Sequence, residues 1–322
     1  MQSRQKYNKV QRTGKRVLFV GDINVDIVMD GLESLPVPDR EITATSFLVT
    51  MGSTAVFTAC AYSCLGGKSA LAGLAGNDDY GKFMISSLKD FGVDTRLIER
   101  TDSIKTGVTL NLMYGGRRIQ VTYPGTIAAF DGSNLFRLDF KKFRHIHFSG
   151  VYLQTAFKPR LPELLGIIRK SGLSASLDTQ WDATETWEGL KSWLPLVNYF
   201  FMNEDEVLSY TAEESVEKAW HELSKQTACP IIKLGSRGAL VSGKSGNPER
   251  IPGFKVDVVD TIGAGDSFAA GFLFGTLNRK MDPPEAVRFG NAVAARSCMF
   301  TGGAGARSTC EDIIKFMENY NE

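Results

Sequence analysis

Two stretches of the chain could each hold a phosphate group. Residues 238–245 read GALVSGKS and fit the G-x-x-x-x-G-K-[ST] pattern of a nucleotide phosphate loop, in which Lys244 would contact phosphate. Such a loop needs flexible residues between its glycines and a helix after its lysine. Residues 239–242 (ALVS) favour a strand instead, and residues 246–248 (GNP) oppose a helix. The sequence therefore predicts a strand that ends in a turn here, and no phosphate loop.

The second stretch, residues 260–275, reads DTIGAGDSFAAGFLFG. Gly263, Ala264 and Gly265 have little or no side chain, and a helical pattern begins at Asp266. Small residues before a helix leave N–H groups uncovered at its positive end, which makes an anion hole. Asp266 has two interpretations: it caps the helix, or it is a general base that takes a proton from a hydroxyl attacking a γ-phosphate. Phe268 stands where a dinucleotide-binding fingerprint has its third glycine, which disfavours an oxidoreductase.

Strand-like and helix-like segments alternate along most of the chain, and this order must position those residues. The apolar strand-like runs are residues 16–21, 69–76, 145–150, 174–178, 199–203, 230–235 and 239–243. The helix-like runs are residues 54–67, 79–92, 160–172, 265–277 and 283–300. Such alternation predicts an α/β fold, with a central, mostly parallel sheet and helices on both of its faces.

Two segments break this alternation. Residues 31–50 and 103–123 are β-rich and contain no helical pattern. Within the second segment, residues 113–118 (MYGGRR) are typical of a β-hairpin. We therefore expect the two segments to form a small β-sheet lid that projects from the main domain.

Composition limits the function classes. The net charge is +1 over 322 residues, which disfavours nucleic acid as the main partner. Three histidines leave little for a His-based metal site, and no apolar run is long enough to span a membrane. We expect a cytoplasmic protein without a membrane partner. Residues 1–15 are predicted to be a disordered basic tail, with a nucleic-acid arm as the alternative, and residues 16–322 to form the folded domain.

Six motifs in order resemble those of the ribokinase-like carbohydrate kinases, of the phosphofructokinase-B type. They are GDINVD (21–26), MGSTAVFTACAYSCLGG (51–67) with AGNDDYG (75–81), NEDE (203–206), KLGSRGAL (233–240), DTIGAGDSFAAGF (260–272) and NAVAA (291–295). The resemblance spans about residues 16–310. It implies an ATP-dependent sugar kinase that uses Mg²⁺, with a monovalent cation such as K⁺ as a further cofactor.

The resemblance also implies roles on the nucleotide side. Asp266 would be the catalytic base, and the N–H groups of Ala264, Gly265 and Asp266 would form the anion hole, shaped by Gly263 and Thr261. Asn203 and Glu206 would act on Mg²⁺ through water, which suits an ion that keeps several waters; the alternative is a helix capping box. The residues expected to border the nucleotide are Lys233, Gly235, Gly238 and Asn291. Asp260 resembles the position whose carbonyl helps to bind the monovalent cation.

On the sugar side, the resemblance assigns hydroxyl binding to Asn24 and Asp26, with Gly52 and Ser53 beside them. Asn24 and Asp26 are two apart on a strand end, so both side chains face one side. The alternative is a turn-forming pair of Asx residues.

The sequence departs from the family at two positions that approach the sugar: Met51 replaces the first glycine and Val56 an asparagine of the glycine-rich motif. A typical ribokinase specificity is therefore not expected. Arg117 and Arg118, at the lid hairpin, would meet an acidic or phosphorylated sugar or only solvent. The alternatives to a sugar kinase are a nucleoside kinase, whose pocket should be more aromatic, and a catalytically silent sugar-binding regulator. A homodimer through the lid is a further expectation from the resemblance.

Overall fold

The computed structural model describes residues 14–115, 117–243, 245–303 and 306–320. Most of the predicted basic tail, and Lys244 in the GALVSGKS stretch, lie outside the described residues. In the described part of the chain, no helix is both long and apolar enough to cross a membrane.

The described residues form thirteen strands. In chain order these are β1 (Arg16–Val20), β2 (Asn24–Asp30), β3 (Ser46–Met51), β4 (Ser69–Gly76), β5 (Asp94–Thr101), β6 (Gly107–Tyr114), β7 (Arg117–Tyr123), β8 (Phe143–Ser149), β9 (Ser174–Asp178), β10 (Tyr199–Asn203), β11 (Pro230–Lys233), β12 (Ala239–Ser242) and β13 (Pro248–Ile251). Nine of them form the main sheet in the order β13-β12-β11-β10-β9-β8-β1-β4-β5. The seven from β11 to β5 run parallel, and β12 and β13 are antiparallel additions at one edge.

The same described residues contain ten α-helices. They are α1 (Thr54–Cys64), α2 (Asp79–Asp90), α3 (Thr126–Ala129), α4 (Leu161–Lys170), α5 (Leu190–Trp193), α6 (Glu204–Thr211), α7 (Val216–Ser224), α8 (Ala264–Arg279), α9 (Pro283–Ser297) and α10 (Cys310–Asn319). Every strand-like and helix-like run predicted above overlaps an element of the expected type, so the α/β prediction is confirmed.

Two apolar cores lie on opposite faces of the main sheet. Val17 and Phe19 point into one core, which α1, α8 and α9 cover, whereas Leu18 and Val20 point into the other, which α4 and α7 cover. This alternation follows from the two-residue period of a strand. Strands buried on both faces are apolar throughout, which is why β1 and β4 have near-continuous apolar sequences. The result is a sheet with helices on both sides.

The lid is a separate four-stranded sheet in the order β3-β2-β6-β7. The sequence reading placed it in residues 31–50 and 103–123; the structure adds β2, which pairs with β3 on one side and β6 on the other. Of residues 31–50, only the part from Ser46 onward is strand. From the sequence, Asn24 and Asp26 are expected at the end of the first strand. In the structure the chain leaves β1 at Val20 and begins a new strand at Asn24, because these two strands belong to different sheets.

In the described residues of the GALVSGKS stretch, which leave out Lys244, a strand is followed by a turn, as predicted. Its residues Ala239–Ser242 are β12, which pairs with β11 and β13. The next element along the chain is the strand β13, not a helix. The N–H groups of a paired strand are engaged in the sheet and cannot all turn toward a phosphate.

Candidate active site

Two cavities meet at the amino-terminal end of α8. The apolar cavity, of about 390 Å³, lies between the edge of the main sheet and α8 and α9; its lining includes Phe254, Val256, Phe268, Ala294 and Ala295. The polar cavity, of about 360 Å³, lies between the lid and the main domain; its lining includes Asp22, Asn24, Asp26, Thr109 and Gln120. The first turn of α8 separates them, since Ala264 and Gly265 line the apolar cavity and Gly263 and Asp266 line the polar one.

The start of α8 has the backbone geometry that the glycines of 260–275 allow. Gly263 is the N-cap residue in a left-handed conformation (φ 71°), and a Cβ there would lie 2.7 Å from the Cα of Gly303. The first-turn N–H groups of a helix have no partner within it, although the Ala264 N–H donates to the carbonyl of Thr261 (3.2 Å). Asp266 is the third residue of the helix, and no side chain caps the helix. The capping interpretation of Asp266 is therefore not supported.

The half-buried carboxyl group of Asp266 lies in an acidic environment. Burial raises its pKa well above the usual value, and Asp178, Asp22 and Glu206 raise it further, while the Lys233 ammonium opposes the shift. A carboxylate with a raised pKa is a stronger base than an ordinary aspartate. Its position on the polar cavity directs that basicity toward whatever binds there.

Lys233 and Asp178 form a buried ion pair beside this helix end. Lys233 Nζ donates to Asp178 Oδ2 over 2.7 Å, and the Asp178 side chain is 2% exposed. The ammonium also lies close to Gly265, where a Cβ would be 3.4 Å from Nζ. Burial alone would lower the pKa of Lys233, but Asp178, Glu206 and Asp266 outweigh it and raise the pKa. A fixed positive charge therefore lies next to the uncovered N–H groups of α8.

Asn203 and Glu206 form a complete capping box at the start of α6. The Asn203 side chain accepts from the Glu206 N–H, and Glu206 Oε2 accepts from the Asn203 N–H, both over 2.8 Å. Glu206 nevertheless lines the polar cavity. Burial raises the pKa of Glu206 to about 7. The Asp178 carboxylate also raises this pKa, whereas the Lys233 ammonium lowers it. Within the described ranges, no group of three or more His, Cys, Asp or Glu residues could hold a metal ion by itself. The capping box therefore exists, and Glu206 could reach Mg²⁺ as one carboxylate.

Asn24 and Asp26 lie on the lid face that closes the polar cavity. Asn24 Nδ2 donates to Asp26 Oδ1 (3.0 Å) and to Thr109 Oγ1 (3.2 Å). Burial, reinforced by Asp22 and opposed by Arg118, raises the pKa of Asp26 to about 7. A Cβ at Gly52 would overlap both side chains, so a larger residue there would displace this polar pair. The pair belongs to a regular strand, so the turn interpretation does not apply.

Ser53 also lines the polar cavity, but its hydroxyl is already engaged. It donates to the Asp22 carbonyl (2.6 Å) and accepts from the Val56 N–H (3.2 Å) as the N-cap of α1. Val56, at the position of a family asparagine, is fully buried. Ser53 therefore lies at the site as the N-cap of α1, and both hydrogen bonds of its hydroxyl are made within the protein.

The predicted nucleotide-side residues line the apolar cavity together: Lys233, Gly235, Gly238, Thr261 and Asn291. The Asn291 amide donates to the carbonyls of Ile251 and Pro252, both over 3.1 Å, so it holds the end of β13 against α9. Gly238 is left-handed (φ 93°). Asp260 differs from the rest, because its carboxylate accepts the N–H groups of Ile262 (2.9 Å) and Gly302 (2.8 Å) and tethers the loop before α8.

Sequence reasoning missed several residues of the site. Asp22 lines the polar cavity, and burial raises its pKa to about 6. Asp178 pairs with Lys233 across 55 residues of sequence. Both follow the carboxyl ends of parallel strands, where sites of such sheets form, and that rule was the available signal. Gln180 and Trp181, just after β9, also line the polar cavity.

Comparisons with known proteins agree with this geometry. A 2-dehydro-3-deoxygluconokinase of Bacillus subtilis is 30% identical over 274 residues, which cover 80% of this chain and 84% of the relative. The solved structure of Arabidopsis thaliana ribokinase complexed with ribose and ATP superposes with a TM-score of 0.81 at 20% identity, covering 95% and 99% of the two chains. A putative ribokinase II from E. coli, solved with ATP and Mg²⁺, gives a TM-score of 0.79 at 21% identity, with coverages of 95% and 99%.

A family model described as pfkB family carbohydrate kinase matches residues 15–309, nearly the whole chain. The fold, the two cavities and the relatives lead to one assignment: this chain belongs to the pfkB family of carbohydrate kinases.

Proposed function

We propose that the protein transfers the γ-phosphoryl group of ATP to a hydroxyl of a small sugar or sugar acid. One observation carries the proposal: the first turn of α8 separates an apolar cavity from a polar one and presents Asp266 to the polar side. A planar apolar base and a polyhydroxylated acceptor would occupy such cavities from opposite ends. The reacting atoms would then meet at Asp266.

The apolar cavity suits the base of ATP, with its phosphates directed to the start of α8. The N–H groups of Gly265 and Asp266, together with the Lys233 ammonium, would stabilise charge on the transferred phosphoryl group. Bound Mg²⁺ would neutralise phosphate charge. Glu206, with one carboxylate oxygen committed to the Asn203 N–H, would reach the ion through water. A K⁺ requirement, through the carbonyl of Asp260, is part of the same proposal.

Asp266 would take the proton of the acceptor hydroxyl as the hydroxyl oxygen attacks the γ-phosphorus of ATP and the bond from that phosphorus to ADP breaks. Its raised pKa favours that transfer. Asn24 and Asp26 would hold other hydroxyls of the same sugar, since both line the cavity that Asp266 enters. A site built to bond hydroxyls rejects analogues that lack them.

The polar cavity favours a sugar over a nucleoside. The lid side chains of the described residues that line it are Asn24, Asp26, Thr109, Arg118, Gln120 and Thr122. None of these lid side chains is aromatic, as those of a base-binding lid would be, and the aromatic lining of the cavity, Phe57 and Trp181, comes from the main domain. A silent regulator is also disfavoured, because such a protein would not need a base with a raised pKa beside an anion hole.

A second copy of the chain is the partner we propose for the lid. Phe47, Val121 and Tyr123 are exposed on the lid face opposite to Asn24 and Asp26. An apolar sheet face of this kind favours association. Sedimentation equilibrium should give twice the chain mass for wild type and the chain mass for Phe47→Lys. A monomeric wild type would contradict the dimer and leave the kinase proposal intact.

A cytoplasmic location stays a prediction.

The kinase proposal is tested by ATP consumption with Mg²⁺, with and without K⁺. The acceptor panel is D-ribose, D-fructose, D-glucose, D-gluconate, 2-dehydro-3-deoxy-D-gluconate and adenosine. We expect one sugar or sugar acid to stimulate ADP release in wild type and not in Asp266→Asn. Stimulation by adenosine alone would select the nucleoside kinase, and no stimulation by any compound would contradict the proposal.

A further inference from the structure

Trp181 is an exposed tryptophan in the wall of the polar cavity. All four tryptophans of the chain lie in the described residues, and three are buried: Trp187 (5% exposed), Trp193 (2%) and Trp220 (2%). Trp181 is 42% exposed and lines the cavity together with Asn24, Asp26 and Asp266. An indole has a large apolar surface. Its exposed surface is therefore available to a molecule bound in this cavity.

The loop that carries Trp181 is held in an unusual backbone conformation. Three of its non-glycine residues are left-handed: Gln180 (φ 58°), Glu185 (φ 55°) and Trp187 (φ 51°). Each such residue costs free energy, and the surrounding structure must hold it there. Strain of this kind is a reason to look for a function of the loop.

Asp182 supplies much of the restraint. Its carboxylate is buried and accepts from the N–H of Thr184 (3.0 Å) and the N–H of Trp187 (2.8 Å), and also from the Thr184 hydroxyl (2.8 Å). On the other side of the loop, the Gln180 amide bonds the Thr54 hydroxyl in the first turn of α1. The segment around Trp181 is thus bonded to α1 through Gln180 and to the following part of its own loop through Asp182.

The indole ring itself has a rigid support. Trp187 packs against Trp181 with ring centroids 5.7 Å apart and ring planes at 80°. Trp187 is fixed by a bond from its Nε1 to Ser209 Oγ (3.0 Å) and by edge contacts with Tyr152 and Tyr210. Trp181 is therefore backed by the buried Trp187 and the half-buried Tyr152 and Tyr210, which limit how far it can turn away from the cavity.

The cavity consequently has two unlike sides. The lid contributes hydrogen-bonding side chains, among them Asp26, Thr109 and Gln120, whereas the Trp181 loop contributes an aromatic surface. A ring-closed sugar has the same division, because its hydroxyls and its C–H groups lie in different directions. An open-chain polyol lacks a continuous C–H face.

We propose that Trp181 is a specificity-determining residue that contacts the C–H face of a ring-closed sugar. The inference rests on the proposed kinase function and deepens it: the acceptor is bound as a pyranose or furanose, with its reacting hydroxyl at Asp266 and other hydroxyls toward the lid. Trp181 contributes to binding of the sugar and not to the phosphoryl transfer itself.

Kinetics of Trp181→Ala test the proposal on the best acceptor of the six-compound panel. We expect the KM for that acceptor to rise about 10-fold, a loss of about 1.4 kcal/mol. We expect kcat and the KM for ATP to change less than about threefold. Trp181→Phe should restore most of the affinity, because it keeps an aromatic face. An unchanged sugar KM in Trp181→Ala, or D-gluconate as the best acceptor, would overturn the proposal.

Tryptophan emission gives a readout that does not depend on turnover. Each panel compound, added to the ATP-free protein, should shift the emission of wild type to shorter wavelength if it covers Trp181. The shift should persist in Trp220→Phe, whose indole is buried elsewhere, and disappear in Trp181→Phe. A shift that survives in Trp181→Phe contradicts the proposal.

The same titration separates the two proposals. If no compound is phosphorylated but one shifts the emission through Trp181, the kinase proposal fails and the sugar contact stands. If none is phosphorylated and none shifts the emission, both fail. Phosphorylation without any shift contradicts only the contact.

Discussion

Residues 238–245 and 260–267 are both short and rich in small residues, but their backbones lead into different elements. After Gly238 the chain enters β12, whose N–H groups serve the ladders with β11 and β13. After Gly263 it enters the 16-residue helix α8, whose first-turn N–H groups have no partner within the helix. Whether such a stretch can hold a phosphate therefore depends on whether its N–H groups are free or already paired in a sheet. Its glycine content alone does not decide this.

The largest expected effect is at Asp266, on the side of this comparison that faces the polar cavity. Asp266→Asn should lower kcat by roughly 10²–10⁴, the usual worth of a general base. The fold should persist, because the substitution removes a negative charge that is repelled by the carboxylates of Asp178 and Glu206. Turnover, thermal unfolding and binding of a non-hydrolysable ATP analogue would be measured. Asp79→Asn, at the exposed start of α2, is the matched control and should keep full activity. Near-normal turnover in Asp266→Asn would remove it as the base.

The second-largest effect is expected at Asp26, and it tests whether the two cavities bind different substrates. Asp26→Ala should weaken binding of the sugar by about 1.5–3 kcal/mol, roughly 10- to 150-fold in Kd. Binding of the ATP analogue should barely change, because Asp26 lines only the polar cavity. Calorimetry at pH 8 is suitable, since the pKa of Asp26 is raised to about 7 and the carboxylate is then mostly ionised. Asp30→Ala, farther along the same face of β2, is the control. Loss of the ATP analogue with retained sugar binding would reverse the assignment of the cavities.

Asp26 should also make stability depend on pH. Its pKa in the folded protein, about 7, is above the ordinary value of 3.8 because of burial. The folded state therefore holds the proton more tightly than the unfolded chain, so this site stabilises the fold at low pH and loses that contribution as pH rises from about 4 to 7. Asp26→Asn, which stays neutral, should gain Tm relative to wild type at pH 8 and gain little or nothing at pH 4. Equal Tm differences at both pH values would show that Asp26 is not buried as described.

The sequence was sufficient for most of the architecture because periodicity and apolar runs are local signals. The residues near 24, 53, 206, 233, 263 and 291 could be assigned to one site because their motifs resemble those of the carbohydrate kinases. Strand ends alone would not have been enough, since Asn24 begins a lid strand and Asn291 lies inside α9. Pairing was less accessible. The Lys233–Asp178 ion pair joins β11 to β9, and no local pattern marks it. Likewise, β2 reads as a continuation of β1 until the sheet order shows that it belongs to the lid.

Trp181 shows the other limit of the sequence. An isolated tryptophan after a strand is most often a core residue. In addition, no pattern in the sequence of residues 179–187 predicts that three of its non-glycine residues adopt a left-handed conformation. The conformation depends on Asp182 and on Thr54, which is more than 120 residues away in sequence. Such a loop is defined by its tertiary partners, so its exposed indole could be found only in the folded structure.

The smallest expected effect is at Lys244, on the other side of the comparison. In a phosphate loop this lysine would contact phosphate, and its loss would lower kcat/KM a hundredfold or more. Lys244 lies outside the described residues, but β12 ends at Ser242 and β13 begins at Pro248, so no helix follows it to complete a phosphate site. We therefore expect Lys244→Ala to keep kcat and the KM for ATP within about threefold, or about 0.65 kcal/mol. Lys218→Ala, at an exposed lysine of α7, sets the scale for an indifferent change. A kcat/KM for ATP far below that of the Lys218→Ala control would mean that residues 238–245 bind phosphate after all. In that case a glycine-rich stretch of this chain would hold phosphate without a helix after it, which contradicts the comparison made above.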